Sequence, residues 1–228
     1  MNEKLVKIFQ KAKDENRNLL EHEAKEVMKE IGVLIPEGQV VKTKEDAIKV
    51  SKELGFPLVM KLMSPQVLHK TDAKAVVVGI KNEEEVEDTF QDFMERFSDV
   101  TVEGVLIEKM VNKGVEIIIG TQTDPTFGPV ILIGLGGVLV EILKDVVFRL
   151  CPTTKERALD AINSIKSKKL MEGFRDLPKV NKEKLAELMV KISNLAWEYK
   201  DYIAEMDLNP VIANNEGIWT VDARIILK

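Results

Sequence analysis

The C-terminal stretch Glu205–Asp222 reads EMDLNPVIANNEGIWTVD. Two apolar runs flank a turn that contains asparagine and glycine, and this pattern predicts a β-hairpin. If Asn214 and Gly217 close the turn, the register of the two strands brings Ala213 opposite Ile218. We therefore expect a pair of antiparallel strands with a defined register near the C-terminus.

The predicted hairpin collects acidic and amide side chains on one face. Side chains alternate between the two faces of a strand, so Glu205, Asp207 and Asn209 share a face. The same register brings Asp222 opposite Asn209, at about 5 Å between their Cβ atoms. Three carboxylates and an amide oxygen call for a cation between them, and oxygen ligands suit magnesium. The alternative is an exposed polar face of an antiparallel hairpin.

Composition narrows the class of protein. The chain has 228 residues, of which 45% are hydrophobic and 31% charged, enough for one large domain or two small ones. A net charge of −5 argues against nucleic acid or an anionic membrane as the main partner. The single Cys151 excludes a disulfide framework and a cysteine-based zinc site. The N-terminus has no apolar signal core, and the longest apolar run, residues 130–140, is too short to span a membrane. We expect a soluble cytoplasmic protein.

The order of predicted elements indicates an α+β (α/β) fold of two lobes, residues 1–103 and 104–228, with a cleft between them. The first lobe is predicted to have helices and strands at residues 3–31, 38–42, 43–54, 57–63, 75–80 and 82–97. The second is predicted to have strands at 104–110, 114–122, 129–133 and 146–150, helices at 154–165 and 182–199, and the hairpin.

Lys61 is a candidate phosphate ligand, because it lies among apolar residues of a predicted central strand. A buried ammonium is costly unless it is paired or bound to an anion. The alternative is an edge-strand lysine whose head reaches water.

Glu108 and Glu116 each interrupt an apolar strand in the same way. Glu108 falls where the two lobes would join, and a carboxylate with neighbouring backbone groups there could bind adenine. Glu116 is a candidate ligand for ribose hydroxyls. Single acids on half-exposed strands are common, so neither position is specific alone.

His69 lies in a long loop beside Lys70, Thr71 and Asp72. A neutral imidazole is a competent nucleophile and can carry a phosphoryl group covalently. The alternative is a solvated loop histidine. The other histidine, His22, lies in a charged helix and is interpreted as structural.

The glycine-rich segment Gly134–Gly137 offers backbone amides to an anion, chiefly at Gly136 and Gly137, but it matches neither a Walker nor a Rossmann fingerprint. It could equally be a tight turn where backbones approach closely. Asp145 and Arg149 follow it and could contact phosphate or form a surface ion pair.

Eight motifs lie along essentially the whole chain. They are GFPLVMK (55–61), SP (64–65), HKTD (69–72), FGP (127–129), GLGGVLVEILKDV (134–146), FRL (148–150), DLNP (207–210) and VDAR (221–224). In this order they resemble the ATP-grasp subunit of ADP-forming acyl-CoA synthetases. The chain most resembles the separate β subunit of the archaeal ADP-forming acetyl-CoA synthetases, which is related to the β subunit of succinyl-CoA synthetase.

The resemblance implies an ATP-grasp fold and a reversible reaction in which acyl-CoA, ADP and phosphate give free acid, CoA and ATP. It implies ATP or ADP and Mg²⁺ as cofactors. It also implies a partner in an α2β2 heterotetramer, an α subunit that binds CoA, forms the acyl phosphate and takes the phosphoryl group onto its own histidine. Nothing in the sequence looks like a CoA-binding domain, which agrees with a chain that is one part of an enzyme.

The resemblance also implies residue roles. His69 relays the phosphoryl group to ADP, and Lys61 holds nucleotide phosphates. An adenine hinge is formed by Glu108, Lys109, Met110 and Val111. Magnesium is bound by Asn209 and Asp222, with Asp207 beside them.

One segment departs from the family pattern. The family often has Asp-x-Gly-Gly-Val after the histidine, whereas this chain has Asp72-Ala73-Lys74-Ala75-Val76. The departure replaces two flexible glycines and adds a charge near the expected phosphate path.

Two other functions fit parts of the sequence. An ATP-grasp carboxylate–amine ligase would need an acyl-acceptor pocket of its own and has no use for a phosphorylated loop histidine. A nucleotide-binding regulatory subunit would bind ATP without turnover.

Overall fold

The computed structural model describes residues 2–67, 70–137 and 145–228. Contacts divide the chain into two compact units, Pro36–Val111 and a larger unit that combines Met1–Ile35 with Asn112–Lys228. In chain order the described elements are α1 (Glu3–Asp14), α2 (Glu21–Glu30), β1 (Gly38–Val41), α3 (Lys44–Leu54), β2 (Leu58–Met63), β3 (Val76–Ile80), α4 (Glu83–Arg96), β4 (Gly104–Lys109), β5 (Val115–Asp124), β6 (Gly128–Leu135), β7 (Val146–Leu150), α5 (Lys155–Ser164), a 3₁₀ helix (Lys168–Met171), α6 (Lys182–Glu198), β8 (Ile203–Ala213), β9 (Ile218–Thr220) and β10 (Arg224–Leu227).

The Pro36–Val111 unit is an antiparallel sheet with strand order β1-β4-β2-β3, against which α3 and α4 pack. Its helices begin where the sequence predicts. Thr43 accepts a hydrogen bond from the Asp46 amide at 3.1 Å, and Asn82 accepts one from the Glu85 amide at 2.9 Å. The core of this unit is formed by apolar side chains of both layers, including Leu58, Met60, Leu62, Val86, Phe90, Phe93, Val105 and Ile107.

The larger unit is built on a second antiparallel sheet, with order β10-β8-β5-β6-β7 and β9 paired to β8. The helix predicted at 182–199 is present as α6, and the apolar residues at helical spacing along it are buried: Leu185, Leu188, Met189, Ile192, Leu195 and Ala196. Leu5 and Phe9 of α1 enter the same core, so the N-terminal helices fold with the C-terminal half.

The single helix predicted over residues 3–31 is wrong, since the structure has two helices with a break at 15–20. Asn16 adopts a left-handed conformation with φ of 51°, which ends α1. The second helix begins with its own cap, in which the Glu23 carboxylate accepts a hydrogen bond from the Leu20 amide at 2.9 Å. Charged residues continue through the break, so the helical pattern hides it.

The division by contacts differs from the predicted boundary between residues 103 and 104. Strand β4 follows that boundary but pairs with β1 on one side and β2 on the other. It therefore belongs to the Pro36–Val111 unit. Pairing with strands about 65 and 45 residues away in sequence, β1 and β2 respectively, is not encoded by any local pattern.

The C-terminal hairpin has the predicted register. Ala213 pairs with Ile218, and the hydrogen bond from the Asn214 amide to the Gly217 carbonyl at 3.0 Å closes the turn. The sequence analysis missed a third strand, β10, which pairs with the first half of β8 and places Arg224 opposite Asp207.

Within the described residues, no helix combines the length and apolar character needed to cross a membrane.

Candidate functional site

Lys61 lies in an interior strand, as predicted, and forms an ion pair with Glu108. β2 has β3 on one side and β4 on the other, and Glu108 lies diagonally across from Lys61 on β4. The Lys61 Nζ is 3.3 Å from the Glu108 Oε2, and the two side chains are only 8% and 3% exposed. The alternative of an edge-strand lysine with its head in water is therefore wrong. The structure brings together two residues that were predicted to have separate roles.

Gly38 belongs to the same arrangement, although sequence analysis missed it. It lies directly opposite Glu108 in the β1–β4 register. A Cβ atom at Gly38 would lie 2.6 Å from the Glu108 Cγ and 2.6 Å from the Ile107 carbonyl oxygen. The position therefore has to be glycine for β1 to pass over the Glu108 side chain. A glycine at the start of a predicted strand was the only signal in the sequence.

The predicted hinge 108–111 ends the Pro36–Val111 unit. The Lys109 amide donates to the Glu37 carbonyl at 2.9 Å, and the Lys109 Nζ lies 2.8 Å from the Glu37 carboxylate. The Met110 amide donates to the Pro57 carbonyl at 3.1 Å. These two amides are thus engaged within the unit, while the Lys109 side chain is half exposed and Val111 half buried.

His69 lies outside the described residues, so its predicted role is not tested. The loop that follows it is a compact turn, in which the Ala75 amide donates to the Lys70 carbonyl at 2.7 Å. The Arg96 guanidinium donates to the carbonyls of Ala73 and Lys74 at 3.0 Å each.

Lys74 has a left-handed backbone with φ of 53°. This is the position at which the family pattern has glycine, and glycine adopts that conformation without a steric cost. The departure from the pattern therefore keeps the turn and places a lysine in a strained conformation.

Glu116 and the glycine-rich segment meet in the larger unit. Glu116 is exposed on β5. The Gly136 amide donates to the Glu116 carbonyl at 2.8 Å, and a Cβ atom at Gly137 would overlap the Glu116 Oε2. The Gly136 amide therefore serves the backbone pairing rather than an anion. Gly137, whose φ is 62°, lets the chain pass beside the Glu116 carboxylate.

Two of the predicted magnesium ligands, Asp207 and Asn209, lie on β8, and Asp222 lies between β9 and β10. The β8–β9 and β8–β10 pairings have the same register, with Val211 opposite Thr220 and Asp207 opposite Arg224, and this register continued between them gives Asn209 and Asp222 as facing positions. The Val221 amide donates to the Pro210 carbonyl at 3.3 Å, which holds the two chains together at this point. Glu205, Asp207 and Asn209 alternate with the buried Met206 and Leu208, which confirms the predicted polar face.

A guanidinium supplies part of the positive charge on this face. The Arg224 Nη2 lies 3.1 Å from the Glu205 carboxylate and 4.0 Å from the Asp207 carboxylate. Burial raises the pKa of the Asp207 carboxyl, Arg224 lowers it and Glu205 raises it, and the net shift is upward. Arg224 was missed as a site residue because the sequence analysis did not extend the sheet beyond the hairpin.

Two carboxylates and an amide fit a magnesium ion that is also held by nucleotide phosphates. Among the described residues no group of three or more His, Cys, Asp or Glu side chains could hold a metal ion by itself. The predicted set of Asp207, Asn209 and Asp222 contains only two such side chains, so it remains a prediction.

Asp145 and Arg149 have structural partners. Asp145 accepts hydrogen bonds from the amides of Ser167 and Lys166 at 2.7 and 3.1 Å. Burial raises the pKa of Asp145, but these hydrogen bonds together lower it by more than burial raises it, so the net shift is downward. Arg149 pairs with Asp160 on the surface, which is the second of the two alternatives considered for it.

Comparisons with known proteins identify the family of this chain. The family model for the ATP-grasp domain matches residues 10–227. The β subunit of acetate–CoA ligase [ADP-forming] I from Pyrococcus furiosus is 46% identical over 228 residues, which cover 98% of each chain.

Two solved structures of acetyl-coenzyme A synthetase 1 from Ca. Korarchaeum cryptofilum have the same fold. One, in complex with coenzyme A, Ca-AMPCP and HgCl⁺, has a TM-score of 0.94 at 40% identity and covers 97% of this chain and 99% of that chain. The other, with coenzyme A and Mg-AMPPCP and with its phosphohistidine segment pointing towards the nucleotide binding site, has a TM-score of 0.87 at 40% identity and covers 98% and 100%.

These matches confirm the predicted ATP-grasp fold and the resemblance stated from the motifs. The chain belongs to the ATP-grasp family and, within it, to the β subunits of ADP-forming acetate–CoA ligases.

Proposed function

We propose that this chain is the nucleotide-binding subunit of an ADP-forming acyl-CoA synthetase that acts on acetyl-CoA. The reaction converts acyl-CoA, ADP and phosphate reversibly into free acid, CoA and ATP. A relative of nearly the same length is named subunit β of such a ligase, which supports a second subunit as partner. That α subunit carries the CoA-binding and acyl-phosphate-forming domains, in an α2β2 assembly in the cytoplasm.

The observation that carries this proposal is the buried Lys61 in the middle of a sheet. Its side chain is 8% exposed and is paired with Glu108. Burying an ammonium costs free energy, because the group loses its hydration. Buried lysines therefore occur where a bound anion or a carboxylate interacts with the ammonium. An ammonium has three N–H donors, so a bond to one carboxylate does not prevent it from also binding a phosphate oxygen.

The remaining roles follow from the same proposal. The adenine base binds along residues 108–111, through groups other than the Lys109 and Met110 amides, which the unit already uses. Glu116 binds the ribose hydroxyls, beside Gly137. Asp207, Asn209 and Asp222 hold magnesium, which neutralises phosphate charge when it is bound. A related structure contains Mg-AMPPCP, which supports magnesium as the metal.

His69 relays the phosphoryl group in this proposal. A β-phosphate oxygen of ADP attacks the phosphorus of phosphohistidine and forms the new O–P bond. The N–P bond breaks, and its electron pair returns to the imidazole nitrogen. In the reverse direction the imidazole nitrogen attacks the γ-phosphorus of ATP. In a related structure a phosphohistidine segment points towards the nucleotide binding site, which supports transfer between a phosphohistidine and the nucleotide.

Phosphorylation by ATP tests the proposal. The full chain is incubated with magnesium and ATP radiolabelled at the γ-phosphate, alone and with its α subunit. We expect acid-labile label on this chain that is lost in His69→Ala and retained in His22→Gln, the control at the other histidine. Overall activity is expected to be lost in His69→Ala while ATP binding remains.

The other outcomes decide between the rivals. Label on the α subunit alone, unchanged in His69→Ala, would end the relay role but leave the nucleotide-binding role. ATP binding without label on either chain would favour the ligase or the regulatory subunit.

A further inference from the structure

We propose that Glu108 is a positioning residue, whose carboxylate holds the Lys61 ammonium in place for nucleotide phosphates, and that Gly38 provides the space this requires. The inference rests on the proposed nucleotide-binding function. It gives the Glu108 side chain a different role from the recognition of adenine that its place in the hinge implies.

The geometry of the pair supports this role. Lys61 faces Leu106 across the β2–β4 register, and Glu108 faces Val59, so the two charged residues are diagonal neighbours on adjacent strands. Diagonal positions are within reach of long side chains. The Nζ to Oε2 distance is 3.3 Å, so the carboxylate is directed at the ammonium across the sheet.

Burial makes this contact consequential. The two side chains are 8% and 3% exposed. A buried lysine that lacks a carboxylate tends to lose its proton, because desolvation disfavours the charged form. A neutral amine binds phosphate far more weakly than an ammonium does. A carboxylate beside a buried ammonium offsets the cost of burial and fixes where the ammonium lies, which is the role proposed for Glu108.

Gly38 is the third member of the arrangement. Because a Cβ atom there would lie 2.6 Å from both the Glu108 Cγ and the Ile107 carbonyl oxygen, a side chain would displace either Glu108 or β1. Contacts under 3.0 Å force such a shift. The absence of a side chain at Gly38 thus leaves the Glu108 carboxylate in its position next to Lys61.

Two ligands separate the two roles of Glu108. Adenosine has the base and ribose but no phosphate, whereas ATP has all three. A residue that binds adenine contributes to the affinity for both ligands. A residue that acts through Lys61 contributes only to the affinity for ATP.

The experiment measures ATP and adenosine binding to the full chain, together with its α subunit, for wild type, Glu108→Gln, Lys61→Met and the double variant. We expect Glu108→Gln and Lys61→Met each to weaken ATP binding by at least about tenfold and adenosine binding by less than about twofold. We expect the double variant to be no worse than Lys61→Met, since the two residues act as one unit. The matched control is Glu87→Gln, which removes the same charge from the exposed Lys44–Glu87 pair of the same unit.

Gly38→Ala tests the arrangement with both charges kept, and it decides the matter if Glu108→Gln fails to fold. It is expected to weaken ATP binding and spare adenosine binding. Its control, Gln39→Ala, places alanine at the next position of β1, which is exposed, and is expected to change neither ATP nor adenosine binding.

Two results would overturn the inference while the proposed function stands. One is an equal loss of adenosine and ATP binding in Glu108→Gln, which would make Glu108 an adenine ligand. The other is ATP binding that Lys61→Met loses but Glu108→Gln and Gly38→Ala keep. If the wild-type protein binds no ATP, the proposed function itself fails.

Discussion

Two ion pairs in this protein have nearly the same length and different surroundings. Lys61 and Glu108 approach to 3.3 Å with side chains 8% and 3% exposed, while Arg224 and Glu205 approach to 3.1 Å with side chains 35% and 44% exposed. Water screens the second pair and solvates either partner if the other is removed. The first pair is largely withdrawn from water, so water cannot solvate its charges in the same way. Burial, rather than distance, therefore sets how much each pair matters.

A third pair lies between these two cases. The Arg17 guanidinium donates two hydrogen bonds to the Glu23 carboxylate, at 2.6 and 2.8 Å, and the side chains are 12% and 9% exposed. The hydrogen bond from the Leu20 amide to Glu23 at 2.9 Å ties the pair to the start of α2. Because the guanidinium binds both carboxylate oxygens, this bidentate pair is stronger than a single hydrogen bond between the same charges would be.

The largest effect is expected at the buried pair. Glu108→Ala leaves the Lys61 ammonium in the sheet without this carboxylate and is expected to lower the free energy of unfolding by about 3–5 kcal/mol. Urea unfolding followed by circular dichroism measures the change. The exposed control Glu87→Ala is expected to cost less than about 1 kcal/mol. Equal losses in the two variants would contradict the importance of burial.

The intermediate pair is expected to give an intermediate effect that depends on pH. Glu23→Gln is expected to cost about 1.5–3 kcal/mol at neutral pH, because hydrogen bonds to a charged group are lost. Burial raises the pKa of Glu23, but the Arg17 and Leu20 hydrogen bonds lower it more, so the net pKa lies below the ordinary value of 4.5.

A lowered carboxyl pKa gives stability that is present above 4.5 and is lost as the pH falls through the folded-state pKa. The difference in unfolding free energy between wild type and Glu23→Gln is therefore expected to be smaller at pH 3 than at pH 7. A difference that persists undiminished at pH 3 would show that Glu23 acts by packing rather than by charge.

His22, a basic group next to the Arg17–Glu23 pair, is expected to have a smaller effect on how stability depends on pH. Burial lowers the pKa of His22 below 6.5, with Arg17 and Lys11 also lowering it and Glu23 and Glu26 raising it. The folded state therefore favours the neutral ring. The resulting stability is fully present above pH 6.5, and the free energy of unfolding decreases as the pH falls below that value.

The protein is therefore expected to lose stability between pH 7 and pH 5, as His22 takes up a proton in a partly buried position. His22→Gln is expected to flatten this part of the stability profile. An unchanged slope in the variant would assign the acid sensitivity to other groups.

The smallest effect is expected at the exposed pair. Glu205→Gln leaves Arg224 in contact with water and with Asp207, so the free energy of unfolding is expected to change by less than about 1 kcal/mol. Added salt is expected to reduce even this difference. A cost near that of Glu108→Ala would remove the contrast between the two pairs.

Local patterns predicted much of the fold correctly. The turn closed by Asn214 and Gly217 set the hairpin register, and the caps Thr43 and Asn82 marked two helix starts. Each of these features depends on residues close in sequence, so a single stretch contains the necessary information. The alternation of Glu205, Asp207 and Asn209 with buried residues is of the same kind.

Pairing between distant segments was not predictable in this way. β4 joined the first sheet, α1 and α2 joined the second half, and β10 brought Arg224 to Glu205. Which strands become neighbours depends on the packing of the whole chain, and many arrangements satisfy the same alternation of apolar residues.

The candidate site divides along the same line. The residues themselves, a lysine and a glutamate in apolar strands and acids on a hairpin, are evident from the sequence and its motifs. Only the tertiary structure shows that Lys61 and Glu108 form one pair and that Gly38 makes room for it. The reason is physical: residue type and periodicity establish what a side chain can do, whereas its charge state and partners depend on which strands exclude water from it.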